Sequence, residues 1–235
     1  MEDRFPPPES VLIRKLERSA PQGTKLLLQG HFELASKKHT AYFIDKRVLL
    51  TRPHIISELS FYIASHFYSF DIEIVVGPAL GGVLFSNWVA YHLTQLYLSA
   101  SRESISHRFR QREVLGLFSE KRQKKMVFHD QFVRLLQHKR VLIVEDIITT
   151  GGTVKKVLRE VERSQGYTQG VGALWNRGLV GERELLEGSK CGSFVFHSLV
   201  NKNFPTWDKK DCPLCKEGKI PLVNFHKPDT RAVSS

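Results

Sequence analysis

The segment VLIVEDIITTGGT, residues 141–153, concentrates more chemistry than any other part of this 235-residue chain. Four apolar residues read as a strand buried on both faces, and Glu145 and Asp146 then set two carboxylates side by side where the chain emerges. Thr149, Thr150, Gly151, Gly152 and Thr153 follow, and a helical pattern begins with Val154, Val157, Leu158 and Val161 on one face. A loop of hydroxyls and unencumbered backbone N–H groups at a helix N-terminus is suited to phosphate. A phosphate would repel the acid pair, so the acids are expected to face ribose hydroxyls and a hard cation such as Mg²⁺. The segment is neither GxxxxGK[ST] nor GxGxxG, which removes two common nucleotide loops. An ordinary turn with solvated helix-terminal acids would need the acid pair, the loop and both flanking patterns to coincide by chance.

The elements around this segment read as an α/β fold with a mainly parallel sheet. IEIVV is a second buried strand; it ends in GPALGG and leads to the helical stretch VLFSNWVAYHLTQLYL. GVGALWNR and SFVFHSLV supply two more strands. Pro53 opens a helix with Ile55, Ile56, Leu59, Ile63 and Phe67 at spacings of three and four, and an earlier helix over SVLIRKLERS takes Ser10 as its N-cap. Both glycine turns follow strand ends, the edge at which open α/β sheets bind ligands. From about Phe204 the chain is loop-like, because Pro205, Pro213, Pro221 and Pro228 exclude long regular elements. The expected organisation is a domain over residues 1–203, with a small N-terminal hood, and an irregular tail over 204–235.

Composition narrows the function classes. A hydrophobic fraction of 41% is globular, and a formal charge of +11 predicts attraction to polyanions without saying which. No apolar run is long enough to span a bilayer, and MEDRFPPPES lacks the pattern of a secretory signal, so a cytoplasmic protein is expected. Three cysteines do not make a disulfide framework. Cys212 and Cys215 have metal-ligand spacing in CPLC, but tetrahedral zinc needs four ligands; Cys191, His197, His226 or a second subunit's pair are the candidates to complete it, against a plain turn with two thiols. His31 and His39 stand too isolated in the sequence to be given a role.

VEDIITTGGT resembles the phosphoribosyl pyrophosphate (PRPP) signature of the type I phosphoribosyltransferases, and looks most like the orotate phosphoribosyltransferase version. The resemblance covers most of the chain. GHFELASKKHTAYFIDKR is similar to that family's base-binding segment, VVGPALGG to its pyrophosphate loop and FSEKRQKKM to the start of its mobile catalytic loop. ALWNR resembles the strand ending in the orotate-binding arginine, and CPLCKEGKIPL a C-terminal tail of one bacterial and archaeal branch. The resemblance implies that Glu145 and Asp146 hold the PRPP ribose hydroxyls and help place Mg²⁺, with Ile147 and Ile148 leading into a 5′-phosphate loop over Thr149, Thr150, Gly151, Gly152 and Thr153. Ala79, Leu80, Gly81 and Gly82 would form the pyrophosphate loop. Thr149 and Arg177 would contact orotate, and Phe43 would lie against the pyrimidine or serve as a core aromatic. Lys121, Lys124 and Lys125 would belong to a lid closing over pyrophosphate on the neighbouring subunit of a homodimer, with Lys121 the best single candidate.

Two departures bear on the base. Many relatives have a Ser-Gly pair where this chain reads Ser36, Lys37, and some carry a lysine in the pyrophosphate loop where it has Gly81; Lys46 and Arg47 are nearby substitutes. The implied reaction is orotate plus PRPP giving orotidine 5′-phosphate and pyrophosphate, with no fused decarboxylase. The alternatives are a phosphoribosyltransferase for another nucleobase and a PRPP-sensing regulator on the same fold. The regulator would bind nucleic acid, for which the charge is weak support and the missing helix-turn-helix region is evidence against.

Overall fold

The computed structural model describes residues 6–34, 36–79, 81–103, 113–123 and 125–225. Chain order begins with α1 (Glu9–Arg18), the hairpin β1 (Leu27–Glu33) and β2 (His39–Ile44), then α2 (Lys46–Leu50) and α3 (Pro53–Phe67). The central part runs β3 (Ile74–Pro78), α4 (Gly81–Glu103), β4 (Leu115–Arg122), β5 (Lys125–Val127), α5 (Asp130–Leu136), β6 (Arg140–Ile148) and α6 (Gly152–Arg163). It closes with β7 (Tyr167–Asn176), α7 (Glu182–Leu186), β8 (Val195–Val200), β9 (Thr206–Trp207), α8 (Pro213–Glu217) and β10 (Leu222–Val223).

Six strands form the central sheet in the order β5-β4-β3-β6-β7-β8, parallel throughout except for the antiparallel β5. All five residues of β3 are buried, as its β-branched run requires when helices cover both faces. The chain leaves β3 toward β4 on one side and returns with β6 on the other, so the sheet's direction of growth reverses between β3 and β6. That switch point places the turn after β3 and the acid pair of β6 at one carboxyl edge. α3 packs one face through Leu59, Ile63 and Phe67, while α6 packs the other through Val154, Val157, Leu158 and Val161.

A second, four-stranded sheet in the order β10-β1-β2-β9 forms the hood. Its central hairpin comes from the N-terminal part of the chain and both edges come from the tail, β10 parallel to β1 and β9 antiparallel to β2. The tail's regular elements are short, as its prolines require.

Three local differences from the sequence reading have simple causes. α1 starts at Glu9 with Pro8 as its N-cap and no side-chain cap, so Ser10 lies inside the first turn; Pro8 presets an extended entry and lets the helix begin two residues earlier. β6 continues to Ile148, because its pairing with β7 persists through Ile148↔Asn176, and the acid pair is therefore in the strand rather than beyond it. β4 and β5 pair antiparallel with Arg122 opposite Lys125, and Gln123 just past β4 has a left-handed φ of 55°.

Glycines in β7 set how closely α3 approaches the sheet. A Cβ on Gly170 would sit 2.3 Å from the Phe67 ring. Gly170→Ala should therefore cost about 1 to 3 kcal/mol in urea unfolding by overpacking, and Phe67→Leu in the same chain should recover part of that loss. Equal midpoints for the wild type and the single variant would contradict this packing.

Candidate active site

The carboxyl ends of β3, β6 and β7 converge. After β3 the chain turns so tightly that a Cβ on Gly77 would lie 1.9 Å from the Gly82 carbonyl oxygen, and one on Gly81 would lie 1.6 Å from Asp146 Oδ2. Only glycine fits at position 81, which explains why no lysine stands there. From the hood side Lys46 reaches the same place, its Nζ 2.8 Å from Asp146 Oδ2. Asp45 starts α2 by accepting from the Arg47 amide and so fixes Lys46 at the first helical position. Arg47 itself is spent on Asp45, through Nε and Nη2 at 2.8 Å each, and does not reach the acid pair. Ala79 N donates to the Ser119 carbonyl, which joins the turn to the root of the β4-β5 hairpin. Leu80 lies outside the described residues.

Glu145 and Asp146 are both buried, Asp146 almost completely. Burial, and next the Asp146 charge beside it, push the Glu145 carboxyl well above the ordinary value of 4.5; Lys46 opposes this in part. Two adjacent carboxylates offered with one ammonium form a hard, oxygen-only donor set suited to hydroxyls and to Mg²⁺ rather than to a soft metal.

Glu145 and the residues from Ile147 to Val154 line a small open cleft of about 40 Å³. Gly151 takes a φ of 70° and caps α6 without a side chain, and a Cβ there would strike Leu185 at 2.5 Å. The first-turn amides of α6 thus face the cleft with only a long 3.4 Å bond from Gly152 N to Thr150 Oγ1. Thr149, Thr150 and Thr153 are exposed at its rim. Open amides, hydroxyls and the positive end of a 12-residue helix make this an anion cradle.

Arg177 follows directly on β7. Its amide donates to Ile148 O at 2.8 Å, and Gly178 lies so close to Thr149 that a Cβ would be 1.6 Å from its carbonyl oxygen. Asn176 clamps the turn beyond, with Nδ2 donating to Val180 O and Oδ1 accepting from Val180 N. The guanidinium is buried and donates through Nη2 to Thr40 Oγ1 at 3.0 Å and to Tyr42 O at 3.4 Å. Its Nε has no partner, and among the described residues no carboxylate pairs with it. Burial lowers the affinity of this guanidinium for its proton. A buried cation without an anion is unfavourable unless a ligand brings one.

The remaining sequence candidates divide. Phe43 is half-buried in a ring cluster with Phe32 and with Phe225 of the tail, at centroid distances of 5.6 and 4.7 Å. Lys121 and Lys125 are exposed on the β4-β5 hairpin, while Lys124 lies outside the described residues. Cys191 and His197 are not brought to the CPLC pair: Cys191 bonds to the Ser193 and Thr168 carbonyls, and His197 stacks on His66. Their strand and loop flank the far edge of the sheet. His226 lies outside the described residues. The histidines that do meet Cys212 and Cys215 are His31 and His39. Sequence reading missed them, and missed Thr40 as an arginine partner, because these partners are more than a hundred residues apart in the chain.

The phosphoribosyl transferase domain model matches residues 47–179, more than half of the chain, and the chain belongs to that family. Curated relatives include orotate phosphoribosyltransferases: that of Caldanaerobacter subterraneus subsp. tengcongensis is 32% identical over 207 residues, 88% of this chain and 92% of the relative. Among solved structures, the orotate phosphoribosyltransferase of Mycobacterium tuberculosis superposes with a TM-score of 0.55 at 17% identity, covering 85% of this chain and 96% of that one. The adenine phosphoribosyltransferase of Rhodothermus marinus superposes with a TM-score of 0.52 at 17% identity, covering 82% and 99%. The fold is thus shared across base specificities. No described helix is long and apolar enough to cross a membrane.

The raised Glu145 carboxyl makes a pH prediction. Between the ordinary value near 4.5 and its raised folded value, the folded chain holds more protons than the unfolded one, so this group makes stability fall as pH rises. Glu145→Gln should flatten that slope and raise Tm at pH 7 by about 2 °C or more. A thermal-melt series from pH 5 to 8 with identical slopes for the two proteins would refute it.

Proposed function

We propose that this chain transfers the 5-phosphoribosyl group of PRPP to orotate, giving orotidine 5′-phosphate and pyrophosphate in de novo pyrimidine synthesis. The observation that carries the choice of base is Arg177, a buried guanidinium that meets no carboxylate among the described residues and is anchored by its own backbone to the anion cradle. Orotate brings the missing carboxylate, and a planar fork can grip it bidentately. The identity with curated orotate phosphoribosyltransferases supports the same reading.

In this reading Thr149, Thr150, Gly151, Gly152 and Thr153 wrap the 5′-phosphate, and Glu145 and Asp146 accept from the ribose 2′ and 3′ hydroxyls. The turn at Ala79, Gly81 and Gly82 holds pyrophosphate, and Lys46 supplies an ammonium beside it. When bound through PRPP with Glu145 and Asp146, Mg²⁺ would neutralise charge on the leaving pyrophosphate. The C1′ bond to pyrophosphate oxygen breaks with its electron pair leaving on pyrophosphate, C1′ passes through oxocarbenium character, and a bond forms to orotate N1, whose proton passes to the departing pyrophosphate or to solvent. Asp146 matters most as the acid that fixes the ribose while this charge develops. Lys121 and its neighbours Lys124 and Lys125 close over pyrophosphate across a homodimer interface and keep water from C1′. Thr149 and Phe43 complete the base site, and the compartment is the cytoplasm.

Purified protein with PRPP, Mg²⁺ and a panel of bases tests the reading directly. Orotate should be used well and uracil, lacking the carboxylate, poorly; preference for hypoxanthine or guanine would withdraw the pyrimidine assignment. Arg177→Ala should raise KM for orotate at least tenfold with little change in KM for PRPP, since losing one partner of a buried charge pair costs on the order of 2 to 5 kcal/mol. A parallel rise in both constants would place Arg177 outside the base site. Lys121→Ala should lower kcat more than it weakens PRPP binding, because its charge is needed as pyrophosphate departs; equal losses would point to ground-state binding alone.

A further inference from the structure

Four side chains with no part in the proposed transfer converge on one point between hood and tail. His31 stands in β1, His39 in β2, Cys212 at the N-cap of α8 and Cys215 in its first turn. Their nearest ligand atoms all lie within 4.8 Å of one another. His31 Nε2 is 3.0 Å from His39 Nδ1, 3.5 Å from Cys212 Sγ and 3.6 Å from Cys215 Sγ, and Cys215 Sγ is 3.2 Å from His39 Nδ1. Zinc bonds of about 2.3 Å to sulfur and about 2.0 Å to nitrogen, at tetrahedral angles, separate ligand atoms by about 3.3 Å for two nitrogens and about 3.6 Å for nitrogen and sulfur. These four spacings match a coordination shell to within about 0.4 Å.

Hydrogen bonding does not account for the cluster. A ring nitrogen carries one proton or one lone pair, yet His31 Nε2 faces three partners at once. The other nitrogen of that ring, Nδ1, is 3.2 Å from the Ile220 carbonyl, which only accepts. The proton therefore resides on Nδ1, and Nε2 presents a lone pair inward, the arrangement in which a backbone carbonyl orients a metal-binding imidazole. Cys212 and Cys215 are both free thiols. Three of the four residues are buried, and Cys215 is half-buried. The tail gives a reason for such a fastening, since between Phe204 and Phe225 only Phe204 and Cys212 are buried apolar residues. Two-residue strands β9 and β10 alone are poor anchors.

We propose that His31, His39, Cys212 and Cys215 form a closed, tetrahedral structural zinc site that clamps the tail onto the hood. Two imidazoles and two thiolates select zinc over Mg²⁺ or Ca²⁺, and four protein ligands leave no open position for catalysis. The site is separate from the acid pair and does not depend on the transferase assignment.

The test uses the full-length chain. Purified from zinc-supplemented medium and desalted, it should retain about one zinc per chain. After stripping, Co²⁺ should give tetrahedral d–d absorption and a thiolate-to-cobalt charge-transfer band. Cys215→Ser and His39→Gln should each weaken zinc binding at least about tenfold, while Cys191→Ser leaves it unchanged. Zinc removal should lower Tm and expose the tail to protease. If a variant does not fold, the cobalt spectrum of the wild-type chain decides alone. A chain that retains no zinc and gives no thiolate charge transfer, or that carries a Cys212–Cys215 disulfide when purified without oxidant, overturns the proposal.

Discussion

Two carboxylates at the buried end of one strand cannot both carry charge without a cation to meet them, and the rest of the site is arranged around that constraint. β6 brings Glu145 and Asp146 into a dry edge between β3 and β7. Among the described residues a single ammonium meets them, Lys46 at 2.8 Å from Asp146, and it comes from the hood rather than from the sheet. For that side chain to reach, the turn after β3 has to pass within contact of Asp146 with no Cβ in the way, which fixes glycine at 81. Asp45 then has to start α2 in the right place. The strain of an under-neutralised acid pair is a cost in stability kept at the place where ribose hydroxyls and an accompanying hard cation would relieve it.

Arg177 is the same situation with the sign reversed. Its guanidinium lies under the hood with neutral acceptors, Thr40 and the Tyr42 carbonyl, and within 5.8 Å of the Phe204 ring centroid. These contacts orient a fork without neutralising it. Carboxylates short of cations on β6 and a cation short of carboxylates after β7 are joined through Ile148, whose carbonyl accepts from the Arg177 amide. An internal ion pair between them would have satisfied both and left nothing for a ligand to gain. Among the described residues no such pair forms, and that separation is what the proposed two-substrate reaction requires: a polyol and phosphate at one end, a planar carboxylate at the other.

The sheet was legible in the sequence because its signals are local. Continuous β-branched runs, glycines just past strand ends and a clean apolar stripe on α6 each need only a dozen residues to declare themselves, and the acid pair and Thr/Gly loop sit inside such a window. The extension of β6 through the acid pair was not legible, because it depends on β7 lying alongside. Nor was the fate of the two nearby substitutes for a loop lysine, Lys46 and Arg47: adjacent residues of like charge diverge once Asp45 takes Arg47 bidentately. His31 and His39 were invisible for a different reason. Metal-ligand spacing in sequence is read within one segment, whereas these histidines come from paired strands and meet a helix start 173 or more residues later.

The hood lies outside the part of the chain that defines the family. The sheet edge with its acid pair and anion cradle is built from the 47–179 region that the family model describes, and chains with different base specificities superpose on this one. The hood draws its strands from outside that region, two from before it and two from after it. It has little apolar core of its own, so its position has to be set by contacts at its seams. Thr40 lies at one such seam, paired across β9 to Thr206 and bonded to Arg177. His39, the preceding residue, lies at the other, in the four-residue cluster with the tail. Successive residues of one strand point to opposite faces, so β2 presents the arginine's acceptor on one face and the tail's fastening on the other. Whatever fixes the tail at His39 therefore also fixes the register at which Thr40 meets Arg177.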